Sequence, residues 1–260
     1  MKLKNKLLLS TLLIGISTCS FANLEDCYKT GINGDYDGAI EKCKPYAKKD
    51  FLATVMIGSA NVVQKNYNDG LSDLNWAIDY SKSNKLSEEE KYKSLSGAYA
   101  TAGNIYYFGQ AGKADKTKGL EYITKAANLG NDYAQYQLGE VYQSGENGTV
   151  TRDISTAYKW TETAIANGSQ DAKDSFLNVN LDGFTKQVPY CIAMGEQLVA
   201  EAYMDGSAGL PKDNSKAKEY LNQAIALYQD NKPTAENTKY CPTGADKLNL
   251  ESAKKELDSL

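Results

Sequence analysis

Histidine is absent from all 260 residues. That removes Ser-His-Asp and Cys-His nucleophile pairs, an imidazole acid/base and histidine-bound zinc. There is no Cys-x-x-Cys, so a thiolate zinc site has no usual spacing either. Gly112-Lys113 lacks both the upstream glycine and the following hydroxyl residue of a phosphate-cradling loop. Proline is scarce at five residues, and phenylalanine numbers only five against 19 tyrosines. Basic charge is in deficit, 29 Lys and Arg against 33 acids. A net acidic chain argues against general nucleic-acid or anionic-membrane binding.

What is present begins with an address. Lys2, Lys4 and Lys6 precede the apolar run Leu7–Ile16, and Ser20-Phe21-Ala22 follows. A basic start, a short apolar stretch and a small-x-small site form the pattern of a secretory signal over residues 1–22, with a mature chain from Asn23. The run is shorter than the about 20 residues needed to span a bilayer. Ile16-Ser17-Thr18-Cys19 offers the alternative of a lipid-modified Cys19, which would make the protein a membrane-anchored lipoprotein. Cleavage after Ala22 removes three lysines and no acids, leaving 26 − 33 = −7.

Four cysteines remain: Cys27, Cys43, Cys191 and Cys241. An even number in an exported chain predicts two disulfides. Gly31-Ile32-Asn33-Gly34-Asp35 reads as a turn, and an antiparallel hairpin about it sets Cys27 opposite Cys43. Cys191–Cys241 is then the second bridge.

The rest is organised as repeats of 36–38 residues. Gly103, Tyr106, Gly109, Asp115, Ala126 and Gly130 recur as Gly139, Tyr142, Gly145, Asp153, Ala164 and Gly168, and again from Ala200 through Tyr203, Gly206, Asp213, Ala217 and Ala224. Two helical halves of this length cannot bury an apolar face alone, so copies stack. Asp115, Asp153 and Asp213 are placed to cap second helices, and Gly130 and Gly168 to end them. Ser87 to Glu90 is a capping box opening a helix to Phe108. Tyr36 and Tyr67 begin two earlier second helices, with a first helix over 51–64 between them. The third offset is about 60 residues, because Asp182-Gly183 and Pro189 interrupt a helix begun at Ala172; a kink or extra helix is expected there. Pro233 and Pro242 bracket an irregular segment before a last helix from Thr243 or Asp246 to Ser259.

Ala134-Gln135, Leu138-Gly139, Tyr142 and Gly145, followed by Asp153, Ala157 and Trp160, resemble the Sel-one-like repeat, a relative of the tetratricopeptide repeat. The resemblance implies an all-α, right-handed solenoid of stacked helix–turn–helix units that binds proteins or peptides. It divides the chain into tetratricopeptide-like hairpins at 23–83, Sel-one-like repeats at 84–230 and a linker with a capping helix at 231–260. The signal and cysteines resemble an exported bacterial subset, some linked to host interaction or to β-lactam-like ligands. The expected role is a periplasmic or secreted protein-interaction module without catalysis or cofactor. First helices line the concave face of such arrays, so the ligand-facing candidates are Asn104, Tyr107, Tyr133, Gln137, Glu140, Gln143, Glu201 and Met204. Tyrosine supplies a rigid amphipathic contact surface.

The alternative is a penicillin-recognising or cell-wall-glycan protein, with weak β-lactamase-like turnover. Ser215–Lys218, Ser59–Asn61 and Lys29-Thr30-Gly31 match the three strings such an enzyme needs, in reversed order. Asn33, Asp35, Asp37 and Gly38 resemble half a calcium loop, but Lys44 stands where a glutamate is required; a polar turn with a helix cap is expected. Glu140 and Glu162 are expected to face solvent.

Overall fold

In a computed structural model of the chain, the described residues are 18–145, 149–178, 188–242, 244 and 246–260. The expected secretory segment up to residue 17 and the Asp182-Gly183 interruption lie outside them. Helices form where small and apolar residues keep helical spacing, and aspartates start them. Asp50 caps α3 (Phe51–Val63), accepting from the Ala53 amide at 2.9 Å. Asp115, Asp153 and Asp213 likewise cap α6 (Lys116–Asn128), α8 (Ile154–Ala166) and α11 (Asn214–Asp230) at 2.9–3.0 Å. Each cap supplies about 1 kcal/mol by satisfying amides that have no intrahelical partner.

A second bond recurs with the caps. The Asp115 amide donates to the Tyr106 carbonyl, Asp153 to Tyr142 and Asp213 to Tyr203, at 2.8, 2.8 and 2.9 Å. The anchor tyrosines therefore mark where each loop folds back onto its own first helix. Those first helices are α5 (Ser96–Phe108), α7 (Asp132–Ser144) and α10 (Pro189–Asp205). Gly109 and Gly206 end α5 and α10 in the left-handed region at φ 67°, where a Cβ would be strained.

Upstream, α1 (Thr18–Ile32) and α2 (Tyr36–Cys43) form a hairpin, and α3 pairs with α4 (Tyr67–Ser83). Both second helices start at the expected tyrosines. Helix α1 runs through the expected cleavage point near Ala22. The Ser87–Glu90 box forms, with the Ser87 amide donating to Glu90 and the Glu90 amide to Ser87 Oγ. The helix it opens is not uniform. Residues Glu90–Leu95 make a wider π turn before α5, a departure that sequence spacing does not signal.

Consecutive pairs α1–α2, α3–α4, α5–α6, α7–α8 and α10–α11 stack in chain order, with α2 on α3, α4 on α5 and α6 on α7. Helix α9 (Gln170–Asn178) packs on α8, yet α8 also packs directly on α10. The stack therefore passes directly from α8 to α10 in spite of the long third offset. No β-strand is present among the described residues. The fold is an all-α repeat solenoid.

Three apolar clusters follow the stack. One surrounds Cys27 and Cys43, one runs from Phe51 to Trp160, and one from Ile154 to Ala253. Leu74, Leu138 and Leu221 are fully buried, each worth about 1.5–3 kcal/mol of burial. Gln135 is among the polar side chains that are also fully buried. Its amide donates to the carbonyls of Ala127 and Ala208 at 2.9 and 2.8 Å, and Asn167 donates to its oxygen at 3.0 Å. The loop of the third repeat is thereby fastened to the ends of the first two.

The bridges Cys27–Cys43 and Cys191–Cys241 both form. Such cross-links belong to an oxidising compartment. The last helix, α12 (Leu250–Asp258), begins later than expected. Asn249 captures the Glu251 and Ser252 amides and Leu248 is tucked into the core, so Asp246 stays in the preceding turn; Thr243 lies outside the described residues.

Candidate interaction surface

Counted from the anchor tyrosines, the first helices present equivalent positions. Nine residues before them stand Gly97, Tyr133 and Met194. Five before stand Thr101, Gln137 and Leu198, and two before stand Asn104, Glu140 and Glu201. Steps of four and three keep these on one helix face. Gln137 Nε2 donates to Asn104 Oδ1 at 2.8 Å, joining α5 and α7 along it. Gln137 Oε1 is buried without a hydrogen-bond donor. Phe108, one turn beyond Asn104, is 63% exposed and Tyr133 is 49% exposed.

Toward the amino end the strip widens into a hollow of about 270 Å³ lined by Ile32, Tyr36, Met56, Ser59, Gly97 and Thr101, with Lys93 at its edge. Ile32 is the most exposed large apolar residue of this group at 77%. Met56, Phe108, Ile32 and Tyr36 were not among the sequence candidates. The repeat offsets could have given Phe108 and Thr101; the α1–α2 turn lies outside the repeats and carries no such signal.

The candidates do not all share this face. Tyr107 is a correction: it is only 6% exposed, with its backbone against Gly119 of α6 and its ring edge-on to Phe108. One residue past the anchor turns toward the second helix, so Tyr107 is packing. Gln143 and Met204 occupy the same offset and are half-buried, Met204 against the carboxyl-terminal core. Glu140 is exposed and accepts from Tyr136 at 2.8 Å. Glu201 is half-buried, and burial first, then the charge of Glu256, pushes its carboxyl up to about 7.

Glu162 is also corrected. It sits on α8 facing α11, accepting from Tyr220 at 3.0 Å, and burial raises its pKa. Beside it Tyr158 donates to Glu196 at 2.5 Å. Glu196 is 4% exposed, its second oxygen has no hydrogen-bond partner, and burial pushes its carboxyl up to about 7. These acids are embedded between helices, away from the repeat face set by Asn104 and Glu140.

No group of three or more Cys, Asp or Glu among the described residues is placed to hold a metal ion. Asp35 caps α2, accepting from Gly38, and Asp37 accepts from Gln64, so the calcium-like string is a turn and a cap. Lys29, Ser59 and Ser215 fall on α1, α3 and α11. Helix α11 packs on α10 and α12, at the other end of the stack from α1 and α3; the three strings are not assembled.

Comparison with known proteins agrees with this layout. The Sel1 repeat family model matches residues 96–131, 132–169 and 191–228, which are the pairs α5–α6, α7–α8 and α10–α11. The chain is 34% identical over 94 residues to the Escherichia coli protein YibG and 28% identical over 112 residues to mouse eukaryotic elongation factor 2 kinase. Those matches take in 34% and 42% of this chain, and 61% and 14% of the relatives. Similar solved structures include an SLR-fold protective antigen of uropathogenic E. coli, at TM-score 0.49, 18% identity and coverage of 91% of this chain and 52% of that one. A Sel1 repeat protein of Oxalobacter formigenes matches at TM-score 0.48, 18% identity and 90% and 96% coverage. Three helix pairs carry the anchors in register, and over residues 96–131, 132–169 and 191–228 the chain carries Sel1 repeats, a helical repeat of the tetratricopeptide-like kind.

Proposed function

We propose that this protein is a protein-interaction module that works outside the cytoplasm, in the bacterial envelope or at a host interface, and that it takes its partner along the first-helix strip. The oxidising compartment follows from the two disulfides; export through residues 1–22, release as a soluble protein and the division at 83 and 230 are parts of the same proposal. One observation carries the binding reading. Exposed Phe108 and Tyr133 and the Asn104–Gln137 amide pair lie on the first helices α5 and α7, and exposed Ile32 of α1 shares the 270 Å³ hollow with Gly97 and Thr101 of α5, so apolar anchors and amide groups are offered to a ligand together. Glu140 at one end and Lys93 at the other give the strip polarity.

The test is a photo-crosslinking amino acid placed at Thr101, Phe108 or Tyr133, with Asp79 and Glu219 on second helices as controls. Crosslinks to the same protein from the three strip positions, and none from the controls, are the expected result. Phe108→Ser with Tyr133→Ser should then weaken that complex by about tenfold or more, the scale of a lost aromatic anchor. Equal crosslinking from both faces would remove the strip as the binding surface.

A further inference from the structure

A second concavity, of about 580 Å³, lies between the carboxyl end of α4, the connector after it, the π turn and the end of α6. Its floor is Leu86, Leu95 and Tyr99, 5, 7 and 8% exposed. Its rim is Lys85, Lys91 and Lys125, and no acidic side chain among the described residues lines it, although acids outnumber bases in the chain. A largely apolar cavity of this size with a few convergent polar groups is the usual form of a small-molecule site.

The lysines are available to a ligand. Lys91 and Lys125 pair with Glu88 and Glu121 outside the cavity, at 2.8 and 2.5 Å, in solvent-exposed pairs of little energetic worth. Exchanging such a partner for an incoming anion therefore costs little. Lys85 and Lys125 also suit the carboxyl ends of α4 and α6, where a cation is favoured. Lys91 does not fit that explanation. It stands in the first turns of its helix, the end where a cation is disfavoured, and it reaches the cavity from the π turn Glu90–Leu95. The same turn supplies Leu95 to the floor, and the Ser96 hydroxyl donates to the Tyr92 carbonyl within it. Such turns cost helix regularity and recur where a helix wall is shaped for a ligand.

We propose that this cavity binds a small amphiphilic anion, an acyl or aryl body carrying a single carboxylate, with the body on Leu86, Leu95 and Tyr99 and the head between Lys85 and Lys91. The site is independent of the first-helix strip, and neither stands or falls with the other.

Calorimetric titration of the folded full-length mature protein with sodium decanoate, and in parallel with decyltrimethylammonium, tests it. Expected is one equivalent of decanoate bound, about tenfold or more tighter than the cation of matched chain. Lys85→Glu with Lys91→Glu should lose that preference, while Lys216→Glu with Lys232→Glu, exposed positions outside the cavity, should keep it. No decanoate binding, equal affinity for both amphiphiles, or unchanged binding in Lys85→Glu/Lys91→Glu would each overturn the proposal. Should that double variant fail to fold by circular dichroism, the anion–cation comparison on the unaltered protein decides alone.

Discussion

Glu196 shows how one buried carboxyl can set the pH response of a domain. Helix α8 faces it with Tyr158 and Glu162, and α11 with Tyr220 and Glu219; burial dominates and holds its pKa near 7 against an ordinary 4.5. The folded state therefore binds a proton that the unfolded chain releases between those values. That contribution is complete below pH 4.5 and is lost as pH climbs through 7, on the order of 3 kcal/mol for this group. Glu201, pushed to about 7 by the same cause, adds in the same direction. Urea unfolding at pH 5.5, 7 and 8.5 should show stability falling with pH, and Glu196→Gln should flatten the slope and stabilise the protein at pH 8.5. A steeper slope in the variant would show that the carboxyl is charged in the folded state. None of this was legible in the sequence. Glu162 reads as a surface acid, and nothing in the repeat pattern singles out Glu196, because the long offset between the second and third repeats obscures which face of α8 meets α10.

At the scale of the element, close approach between paired helices is the controlling variable. A Cβ on Gly119 would lie 2.6 Å from the Tyr107 backbone nitrogen, and one on Gly103 2.9 Å from the Ile123 side chain. Gly97, on the same helix as Gly103, has nothing within 4 Å of a built Cβ. Gly119→Ala should accordingly force α5 and α6 apart and lose about 1–3 kcal/mol, outweighing the helical preference for alanine. Gly97→Ala should gain about 0.5–1 kcal/mol from that preference. Thermal melts of the two variants should move in opposite directions; movement in the same direction would mean that helix propensity, not packing distance, governs these positions. The repeat anchors were readable because each does a local job: aspartate meets free amides, glycine takes a left-handed turn, tyrosine meets the returning loop. Tyr107 departs from the expected ligand-facing set because one residue past the anchor is about 100° of helix, which turns it toward α6. Gln135 was recognised as an anchor, yet its three bonds join residues up to 73 apart in sequence, and no local pattern reports such a partner.

For the whole molecule, the two disulfides divide the labour between the ends of the stack. Cys27–Cys43 spans 16 residues and ties α1 to α2; Cys191–Cys241 spans 50 and ties α10 to the segment before α12. On the loop-closure model they restrict the unfolded chain by about 3 and about 4 kcal/mol. The native consequences differ more than those figures. The amino-terminal hairpin has only a small cluster around its bridge, including Ala53 and Ile57 of α3, so without the bridge α1 and α2 have little to hold them. At the other end, the Ile154 amide donates to the Tyr240 carbonyl at 2.7 Å, Arg152 lies 4.6 Å over the Tyr240 ring, and Gln197 donates to Glu256 of α12 at 2.7 Å. None of these contacts is made through the sulfurs. Limited proteolysis under reducing conditions should therefore release the region before residue 50 first, while residues 231–260 stay attached to a folded 51–230. Cys27→Ala/Cys43→Ala should reproduce that early cleavage in oxidising buffer, and Cys191→Ala/Cys241→Ala should lower the melting temperature without opening the carboxyl end to protease. If the carboxyl end were cut first, the long bridge, and not the α10–α12 packing, would be what closes the solenoid.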